Sequence, residues 1–423
     1  MDELVVTGGV RLKGRVRASG AKNAALPIMA AAILAEGPVR LKNVPNLADI
    51  RTMTRLLREL GMRVEREPDG DMVLENVDPD KVLAPYKIMK TMRAGICALG
   101  PLVARRGRAE VSMPGGCLIG DRPVDLHLKG LRSLGAKLEV KHGYIVTSCK
   151  RLKGTEMYLG GPFGSTVTGT ANILMAAVLA KGQTVIECAA CEPEVQDLGR
   201  MLVKMGASIH GIGSPRLVIE GVSRLSGAEH TIIPDRIEAG TYLVAAAATG
   251  GDVVVEDARW NDLFALIHML RQAGAVIEHF DDTIHLVAPK RLRAVDVTTL
   301  PFPGFPTDLQ AQMMAMLTVA DGISVVTEKI YPDRFTHVAE LNRMGAAIRK
   351  EGNTAIVQGA RRLSGAPVMA SDLRASAALV IAALVAEGKT TISRIYHLDR
   401  GYENLEKKLR KLGATITRVK AKD

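Results

Sequence analysis

Aromatic side chains are scarce in this chain of 423 residues. Phe, Tyr and Trp together make up 3% of it, and there is a single Trp. Proteins that hold single-stranded nucleic acid stack its bases on aromatic side chains, so the scarcity argues against that function even though the net charge is +11. The basic residues are also spread along the chain and are not massed in one tail. The charge therefore favours small anionic ligands, and a basic nucleic-acid-binding repeat protein is kept only as an alternative.

A long hydrophobic run and a disulfide framework are lacking as well. The longest apolar stretch, AALPIMAAAILA at residues 24–35, is too short to span a bilayer. The opening MDELVV has neither the basic nor the apolar region of a signal peptide. Five cysteines are an odd number in a large chain, which indicates reduced thiols, most of them buried. We expect a cytoplasmic protein with no membrane partner.

Motifs for metal or dinucleotide binding are also missing. The CAAC at residues 188–191 has no second pair at zinc spacing, and we interpret both cysteines as packing residues. The histidines form no HExxH motif, and the GIG at residues 211–213 lacks the third glycine of a dinucleotide fingerprint. The sequence therefore gives no support for a metal site or a dinucleotide cofactor.

What the sequence does contain is a unit that occurs six times. The copies are LRELGMRVE from Leu57, LRSLGAKLE from Leu131, LVKMGASIH from Leu202, LRQAGAVIE from Leu270, LNRMGAAIR from Leu341 and LRKLGATIT from Leu409. Each copy is the last turn of an amphipathic helix, a glycine suited to the left-handed position after the helix, and an alternating strand. The six glycines are 68 to 74 residues apart, a period too long for the usual solenoid.

A second helix recurs in each repeat and is rich in small residues, as in GTANILMAAVLAKG and RASAALVIAALVAEG. So much alanine predicts a helix that is packed on all sides. A strand and turn complete the unit, and LVVTGGVRLKG at residues 4–14 is such an element, whereas the C-terminal repeat lacks one. We infer that the first strand completes the last repeat. The predicted architecture is α/β, with six βαβαββ-type repeats, three in a first lobe (residues 20–232) and three in a second lobe (residues 1–19 and 233–423).

The residues that open these buried helices have unusual chemistry. They include Lys22 and Asn23, Arg93, GSTVTGT at residues 164–170, Thr307 with Asp308, and Ser371, Asp372 and Arg374. Because the repeats align, we expect these residues at one end of each lobe, where helix N-termini attract anions. Plain capping is the alternative role for the Ser, Thr and Asp residues. Lys and Arg at both sets of helix ends predict phosphate sites that face a cleft between the lobes.

The stretch SMPGGCLIGDRP at residues 112–123 carries a candidate reactive thiol. Two glycines precede Cys117 and Gly120 follows it, which indicates a mobile loop. The neighbouring Arg122 would stabilise a thiolate and so lower the pKa of the cysteine. Over an anion site, such a thiol would act as a nucleophile or as a proton donor, and the residues alone leave both roles open.

These motifs, in order and over the whole chain, resemble those of the UDP-N-acetylglucosamine 1-carboxyvinyltransferases, a family of enolpyruvyl transferases. They run from SGAKNAALP through MPGGCLIGDRPVDLH, GFPTDLQAQ, YPDRFTHVAEL and SDLRASAALV to YHLDRGYENLEKKLRKLGA. The related enolpyruvylshikimate phosphate synthases share the fold but lack this cysteine loop and the Gly-Ala-Lys-Asn opening.

The resemblance implies a two-lobed inside-out α/β barrel. It also implies transfer of the enolpyruvyl group of phosphoenolpyruvate to the 3′-hydroxyl of UDP-N-acetylglucosamine, with release of phosphate. This reaction is the first committed step of peptidoglycan synthesis and hence of cell-wall biogenesis. The family uses no metal and no organic cofactor. Another acceptor in the same fold, such as shikimate 3-phosphate, is the alternative.

The resemblance further implies how phosphoenolpyruvate is bound and protonated. Lys22, Arg122 and Arg400 would clamp its phosphate and carboxylate, because arginine forks suit both groups, and Arg374 would lie close by. Cys117 would give carbon 3 its proton, and the same sulfur can add to carbon 2 to form an adduct.

Two aspartates would move protons. Asp308 would accept the proton of the attacking hydroxyl, and desolvation when the cleft closes on the substrate is expected to raise the pKa of this weak base. Asp372 would assist the later elimination. The positions implied to hold the sugar nucleotide are Asn23, Arg93, Arg122, Pro123, Val124, Asp125, Leu126, Gly164, Ser165, Thr166, Val167, Asp308 and Ile330, and Arg334 is counted with the site arginines. Residues 164–170 depart from the family's usual Ser-Val-Gly-Ala-Thr, so backbone amides are expected to hold the diphosphate there.

Overall fold

The computed structural model describes residues 2–114, 124–360 and 362–421. Within them the backbone divides into two compact units. The first unit holds residues 20–114 and 124–233, and the second unit holds residues 2–19 and 234–421. The boundary expected from the sequence lay one residue earlier, before residue 233. In the structure the Ala21 amide donates to the carbonyl of Ile233 at 2.7 Å, and this bond ties Ile233 to the first unit.

The described residues form strands that are numbered in chain order. They are β1 (Asp2–Thr7), β2 (Lys13–Arg17), β3 (Ala35–Glu36), β4 (Val39–Lys42), β5 (Met62–Arg66), β6 (Met72–Asn76), β7 (Leu83–Ala84), β8 (Arg108–Ser112), β9 (Lys137–Lys141), β10 (Tyr144–Ser148), β11 (Glu156–Tyr158), β12 (Gly160–Gly161), β13 (Gly164–Ser165), β14 (Gln183–Glu187), β15 (Ser208–His210), β16 (Arg216–Glu220), β17 (Leu225–Ser226), β18 (Glu229–Thr231), β19 (Asp252–Glu256), β20 (Val276–Phe280), β21 (Thr283–Val287), β22 (Val297–Thr298), β23 (Ile323–Thr327), β24 (Ala347–Glu351), β25 (Thr354–Gln358), β26 (Pro367–Met369), β27 (Lys389–Ser393) and β28 (Thr415–Lys420).

The α-helices alternate with these strands. They are α1 (Lys22–Ala31), α2 (Ala48–Glu59), α3 (Tyr86–Met89), α4 (Leu99–Arg106), α5 (Asp125–Ser133), α6 (Val167–Ala177), α7 (Pro193–Lys204), α8 (Arg236–Ala248), α9 (Phe264–Gln272), α10 (Gln310–Leu317), α11 (Val338–Arg343), α12 (Leu373–Val385) and α13 (Leu405–Lys411). Short 3-10 helices cover Ala32–Leu34, Arg93–Ala98, Trp260–Asp262, Thr307–Leu309 and Ile395–Arg400.

Six four-stranded sheets, three in each unit, correspond to the six repeats. Those of the first unit have the orders β18-β4-β6-β5, β7-β8-β10-β9 and β11-β14-β16-β15, and those of the second unit have the orders β2-β19-β21-β20, β22-β23-β25-β24 and β26-β27-β1-β28. In each sheet one parallel edge strand lies next to the central strand, and the other pairs are antiparallel. The predicted α/β repeat architecture is confirmed.

The first strand of the chain belongs to the last repeat. β1 lies between β27 and β28, where Leu4 is opposite Ile392 on one side and Arg418 on the other. The prediction that the N-terminal strand completes the C-terminal repeat is therefore confirmed. The first unit closes in a related way, because β18 follows its third repeat and pairs with β4 of its first repeat.

The six repeated glycines end the outer helices as the sequence predicts. They are Gly61, Gly135, Gly206, Gly274, Gly345 and Gly413, and their φ angles lie between 75° and 105°. In this left-handed conformation the glycine amide bonds back to the last turn, as when Gly206 donates to Val203 at 2.9 Å. The next amide does so as well, and Ala207 donates to Leu202 at 2.9 Å. This bond pattern satisfies carbonyls that a helix end leaves free.

The small-residue helices lie inside each unit and the sheets lie outside them. Nearly every residue of α8 and α12 is buried, and the inner helices of the second unit pack against one another. Glycine is required at some of these crossings. A Cβ on Gly100 would stand 2.2 Å from the Asn172 carbonyl oxygen, and one on Gly240 would stand 2.7 Å from a methyl of Leu309. The buried helices thus approach more closely than larger side chains would allow.

The cysteines are less buried than expected. Cys97 is buried, and burial raises the pKa of its thiol to about 12. Cys149, Cys188 and Cys191, the other described cysteines, are only half-buried. Cys188 and Cys191, which the sequence suggested as packing residues, lie in the turn between β14 and α7, where Cys188 has a φ of 60°. Separately, no helix among the described residues is long and apolar enough to cross a membrane.

Truncation of a buried side chain on β1 tests the closure of the second unit. Leu4 has no exposed surface, so Leu4→Ala should lower the free energy of unfolding by about 2–5 kcal/mol. Thr7→Ala changes an exposed position of the same strand and should cost less than about 0.5 kcal/mol. Chemical denaturation measures both values. Equal stability of the Leu4→Ala variant and the unmodified protein would contradict the pairing of β1 with β27 and β28.

Candidate functional site

Charged residues at the starts of the inner helices of the second unit meet at Asp308. This residue lies in the 3-10 helix that leads into α10. Arg374, in the first turn of α12, donates from Nη2 to Asp308 Oδ2 at 2.9 Å. Arg334, from the loop before α11, donates from Nη1 to Asp308 Oδ1 at 2.7 Å. The prediction that residues opening the aligned helices lie at one end of the unit is confirmed for Asp308 and Arg374.

The two arginines determine the protonation state of Asp308. Burial acts to raise the pKa of its carboxyl group, but the charges of Arg374 and Arg334 and their hydrogen bonds outweigh burial and hold that pKa well below its ordinary value. The raised pKa expected for Asp308 refers to the enzyme closed on its substrate and stays a prediction, whereas in the structure described here that pKa is lowered. Asp308 is therefore an ionised hydrogen-bond acceptor, and its side chain keeps 26% of its surface exposed.

Both arginines keep N–H groups that are not used by the described residues. Arg374 and Arg334 are 1% and 4% exposed. Nε and Nη1 of Arg374 and Nε of Arg334 have no hydrogen-bond partner among the described residues. Buried guanidinium N–H groups are costly to leave unpaired. Their fixed fork geometry matches phosphate and carboxylate, so this cluster is suited to hold an anion.

A buried polar network lies against Arg374. Its guanidinium carbon stands 5.4 Å from the centre of the Tyr402 ring. The Tyr402 hydroxyl bonds to Thr241 Oγ1 at 2.8 Å and accepts from Gln312 Nε2 at 3.0 Å. Gln312 Nε2 also donates to the Asp308 carbonyl at 2.9 Å. The network connects Arg374 with the backbone of Asp308 and so orients both.

Glu328 is a buried carboxylate that the sequence reasoning missed. It has no exposed surface. One oxygen accepts from the Ile330 and Tyr331 amides at 2.8 and 2.9 Å, and the other accepts from the Thr307 hydroxyl at 2.8 Å. Thr307 Oγ1 in turn accepts from Arg334 Nη1 at 3.0 Å. Glu328 thus fixes the loop that carries Ile330 and Arg334 beside Asp308. The only signal in the sequence was an acidic residue directly after a strand.

Asp372 caps α12. Its Oδ1 accepts from the Arg374 and Ala375 amides at 2.8 and 3.0 Å, and its Oδ2 accepts from the Thr336 hydroxyl at 2.8 Å. Burial acts to raise the pKa of Asp372, but these bonds and Arg334 lower it. Capping, the alternative considered for this residue, is thus a role that Asp372 performs in the structure.

Arg400 ends the 3-10 helix Ile395–Arg400, which packs against α12. The helix also carries His397, whose pKa is lowered by burial and by the charge of Arg400, while Asp372 acts in the opposite direction. Arg400 and Asp372 therefore both lie within electrostatic range of His397. The structure places Arg400 near the same end of α12 as Asp372 and Arg374.

In the first unit Lys22 forms a buried ion pair. Lys22 is the first residue of α1, and its Nζ donates to Asp49 Oδ2 at 3.2 Å. The two side chains are 9% and 7% exposed. Asp49 lies in the first turn of α2, where a carboxylate also suits the helix dipole. Sequence reasoning missed this partner, since nothing near Lys22 in the chain points to residue 49.

His127, on the outer helix α5, bonds to the first turns of the inner helix α6. Asn172 Nδ2 donates to His127 Nδ1 at 3.0 Å, and the other ring nitrogen lies 3.3 Å from Thr168 Oγ1. Burial, assisted by the charge of Arg93, lowers the pKa of His127 to about 4. The ring is thus neutral near pH 7 and, because Nδ1 accepts, carries its proton on Nε2 toward Thr168. Arg93, His127 and Thr168 lie together, and the sequence reasoning did not assign His127.

The start of α6 lies in the loop whose backbone amides are expected to hold a diphosphate. Thr166 is the N-cap, and its hydroxyl accepts from the Gly169 amide at 3.2 Å. Gly164 and Ser165 belong to β13, which pairs with β12. The amides at the helix start that this cap does not engage are those of Val167 and Thr168. These two amides could therefore donate to an anion at this helix end, and the assignment of residues 164 to 167 to the sugar nucleotide stays a prediction.

The other predicted positions lie as follows. Asn23 is exposed on α1, Val124 is buried before α5, Asp125 is exposed and Leu126 is half-buried in the first turn of α5, and Ile330 is half-buried. Cys117, Arg122 and Pro123 lie outside the described residues. Among the described residues, a group with metal-ligand spacing is Glu67, Asp69 and Asp71, but Arg40 donates to both Glu67 and Asp71 and supplies their counter-charge.

Comparison with known proteins identifies the fold. Residues 6–409 match the sequence model of the family described as EPSP synthase (3-phosphoshikimate 1-carboxyvinyltransferase). The enolpyruvyl transferase NikO from Streptomyces tendae is similar at a TM-score of 0.88 and 24% identity, covering 100% of this chain and 99% of that one. Two EPSP synthase structures from Acinetobacter baumannii match at TM-scores of 0.75 and 0.72 with 20% identity, covering 99% of this chain and 100% and 99% of theirs. The predicted two-domain inside-out α/β fold is confirmed.

Replacement of Asp308 tests its role as counter-ion. The pKa of Asp308 is lower in the folded protein than the ordinary value of about 4, so the ionised carboxylate stabilises the fold above pH 4. This contribution is lost as the pH falls below 4 through the folded pKa. Asp308→Asn leaves two buried arginines without a counter-charge, and we expect it to cost about 3 kcal/mol of unfolding free energy at pH 7.

Chemical denaturation at pH 7 and at several values below pH 4 measures this cost, which should shrink at the lower values. Asp399→Asn is the control, because Asp399 pairs with Arg418 in a more exposed ion pair that should contribute less than about 1 kcal/mol. Equal costs in the two variants, or a cost for Asp308→Asn that does not change with pH, would show that Asp308 does not hold the arginines.

Proposed function

Because the chain belongs to the family of EPSP synthase (3-phosphoshikimate 1-carboxyvinyltransferase) and is an enolpyruvyl transferase, we propose that its acceptor is UDP-N-acetylglucosamine. The enzyme would transfer the enolpyruvyl group of phosphoenolpyruvate to the 3′-hydroxyl of the sugar and release phosphate, as in the first step of peptidoglycan synthesis in the cytoplasm. The observation that carries this proposal is MPGGCLIGDRPVDLH at residues 113–127 together with SGAKNAALP at residues 19–27. The shikimate enzymes of the family lack both motifs.

The addition of the acceptor hydroxyl to carbon 2 of phosphoenolpyruvate requires two proton transfers. When the hydroxyl oxygen bonds to carbon 2, carbon 3 gains a proton and the hydroxyl loses one. When phosphate then leaves carbon 2, carbon 3 gives up a proton and the double bond is restored. We assign the first donor to Cys117 and the first acceptor to Asp308. A thiol and a carboxylate suffice for these two proton transfers. No redox cofactor is needed, because neither the addition nor the elimination is a net oxidation or reduction.

Asp308 is in the right protonation state to accept this proton, but its low pKa makes it a weak base. We propose that phosphoenolpyruvate changes this balance. Its phosphate and carboxylate would bind the unpaired N–H groups of Arg374 and Arg334. The negative charge of the substrate would then offset part of the arginine charge that lowers the pKa of Asp308. The pKa of Asp308 would rise toward the value that proton transfer needs.

The remaining cations would complete the clamp on phosphoenolpyruvate. We assign Lys22, Arg122 and Arg400 to this role. Lys22 is held by Asp49 in one orientation, which lowers the entropy cost of binding an anion. Asp372 would act in the elimination, where its hydrogen bond from the Thr336 hydroxyl keeps it close to the start of α12.

The sugar nucleotide would bind chiefly to the first unit. We assign its diphosphate to the start of α6 and to Arg93, whose position beside His127 and Thr168 supports this assignment. Asn23, residues 122–126 and Ile330 would hold the rest of the nucleotide. Because Thr168 replaces the family's usual glycine in this loop, the Nε2–H of neutral His127 would orient its hydroxyl, and Thr168 would donate to a phosphate oxygen.

Phosphate release with each acceptor tests the proposed substrate. Purified enzyme and phosphoenolpyruvate should release phosphate with UDP-N-acetylglucosamine at a rate at least about a hundredfold above that with shikimate 3-phosphate, since a site built to hydrogen-bond one substrate rejects an analogue that lacks its groups. Saturating rates and KM values with both acceptors measure this ratio. The reverse preference would replace the proposed acceptor by shikimate 3-phosphate, and release with neither would reject both.

Replacement of Cys117 tests the proton donor. Cys117→Ser should abolish the covalent adduct with phosphoenolpyruvate and lower turnover by about a hundredfold or more, which is the usual contribution of a positioned acid. Cys117→Asp should retain more turnover than Cys117→Ser, because a carboxyl group can also donate a proton. Mass spectrometry of the protein after incubation with phosphoenolpyruvate detects the adduct. Turnover of Cys117→Ala equal to that of the unmodified enzyme would remove Cys117 from the mechanism.

A further inference from the structure

A groove on the surface of the first unit lies apart from the residues assigned to the reaction. Its volume is about 670 Å³, and it is lined by α2, the segment before α2, and the strands β5 and β6. That volume lies within the range of small-molecule sites. None of the lining residues is among those assigned to phosphoenolpyruvate or to the sugar nucleotide.

Four arginines line this groove, which we call the arginine groove. Arg51, Arg55 and Arg58 follow each other at spacings of four and three residues and so project from one face of α2, and Arg66 comes from β5. No acidic residue lines the groove among the described residues. Like charges at such spacings destabilise an isolated helix. The fold thus keeps a positive cluster that works against the stability of α2.

Three of these arginines, Arg51, Arg55 and Arg58, differ from their neighbours in forming no ion pair with a carboxylate of the described residues. Arg63 on β5 pairs with Glu75, and Arg40 on β4 pairs with Glu67. Within the part of the chain that the structure describes, Arg51, Arg55 and Arg58 make no such ion pair. Their positive charge is therefore available to an external anion.

The guanidinium groups are held in place by neutral acceptors. Arg58 Nη2 donates to the Val64 carbonyl at 2.6 Å, and Arg66 Nη1 donates to the Val44 carbonyl at 3.1 Å. Arg51 Nη1 donates to Asn46 Oδ1 at 2.8 Å. Neutral acceptors orient a guanidinium and leave its charge intact, and arginine forks held in this way bind phosphate oxygens in pairs.

The floor of the groove is apolar. Ile50, Val64 and Met72 are 2%, 1% and 2% exposed, and all three line it. A ligand that fits both floor and rim has an apolar body and more than one phosphate group. A nucleic-acid strand fits less well, because no aromatic side chain lines the groove to stack a base. The limited volume also suits a small molecule better than a polymer.

We propose that the arginine groove is a second anion site that binds a small phosphorylated molecule through Arg51, Arg55, Arg58 and Arg66. The site is independent of the proposed acceptor, and it adds a ligand to the enzyme beyond the two substrates of the transfer reaction. Its position on α2, whose first turn contains Asp49, connects it through one helix to the partner of Lys22.

Titration with inorganic pyrophosphate tests this proposal. Isothermal titration calorimetry of the full chain should show a site whose Kd rises by about tenfold or more in Arg51→Gln/Arg55→Gln, as expected for the loss of two charged contacts. Arg58 and Arg66 are left in place because they hold backbone carbonyls. Arg63→Gln is the matched control, since it removes one exposed arginine of the same unit from outside the groove, and its Kd should not change.

Three outcomes would overturn the proposal. Unchanged pyrophosphate affinity in Arg51→Gln/Arg55→Gln would place the anion elsewhere. Equal weakening in Arg63→Gln would show a general effect of surface charge. Tighter and more steeply salt-dependent binding of a single-stranded oligonucleotide than of pyrophosphate would make the groove a nucleic-acid surface.

Two further measurements keep the test independent of folding and of the reaction. Thermal unfolding checks that each variant is folded. If the double variant is unfolded, Arg55→Gln alone replaces it, because the side chain of Arg55 hydrogen-bonds only to the Thr52 hydroxyl among the described residues. Phosphate release by the folded variant should equal that of the unmodified enzyme with the same acceptor. Loss of turnover together with loss of pyrophosphate binding would show that the groove is part of the site of the transfer reaction. That result would contradict the proposal of a second, independent site.

Discussion

The pairing of one carboxylate with two buried arginines is the interaction on which the chemistry of the second unit depends. Arg334 and Arg374 are almost wholly buried, and a buried guanidinium without a counter-charge is strongly destabilising. Asp308 supplies that charge, and in doing so it loses basicity. The contacts that stabilise the buried arginines therefore also lower the pKa of Asp308. An anion that bound the same arginines would raise that pKa again. A substrate that carries both a phosphate and a carboxylate meets this requirement.

The repeat architecture explains why these groups meet. Each unit packs small-residue helices inside three four-stranded sheets, and the close crossings at Gly100 and Gly240 leave no room for larger side chains. The charged residues of the site lie at the helix ends. There the free amides and the helix dipole favour anions, and long side chains reach the surface. Because the inner helices of the second unit start at the same end, Asp308 lies beside Arg374 although 66 residues separate them in the chain.

The residues around the site divide into those that we assign to binding an anion and those that hold these residues in place. Glu328 fixes the loop of Arg334, the Tyr402 network orients Arg374, and Asp49 holds Lys22. Each of these supports is buried, and each is bonded to a group from a different element of the fold. The arginine groove has another design, with guanidinium groups held by carbonyls and an amide. In the proposed mechanism, the pKa of Asp308 has to change for proton transfer, and its bonds to Arg334 and Arg374 control that pKa. The arginines of the groove are proposed only to bind an anion.

The sequence by itself determined the six repeats, the glycines that end the outer helices, the strand that completes the last repeat, and the residue types at the helix starts. These features depend on local periodicity and on backbone conformation, which neighbouring residues specify. Only the tertiary structure decided which charges pair. Asp308 with Arg374, Lys22 with Asp49, and His127 with Asn172 join residues far apart in the chain, and no local pattern encodes such contacts. The pKa of Asp308 followed the same division: the sequence named Arg334 and Arg374 as site residues, but only the folded structure showed that both donate to Asp308 and outweigh burial.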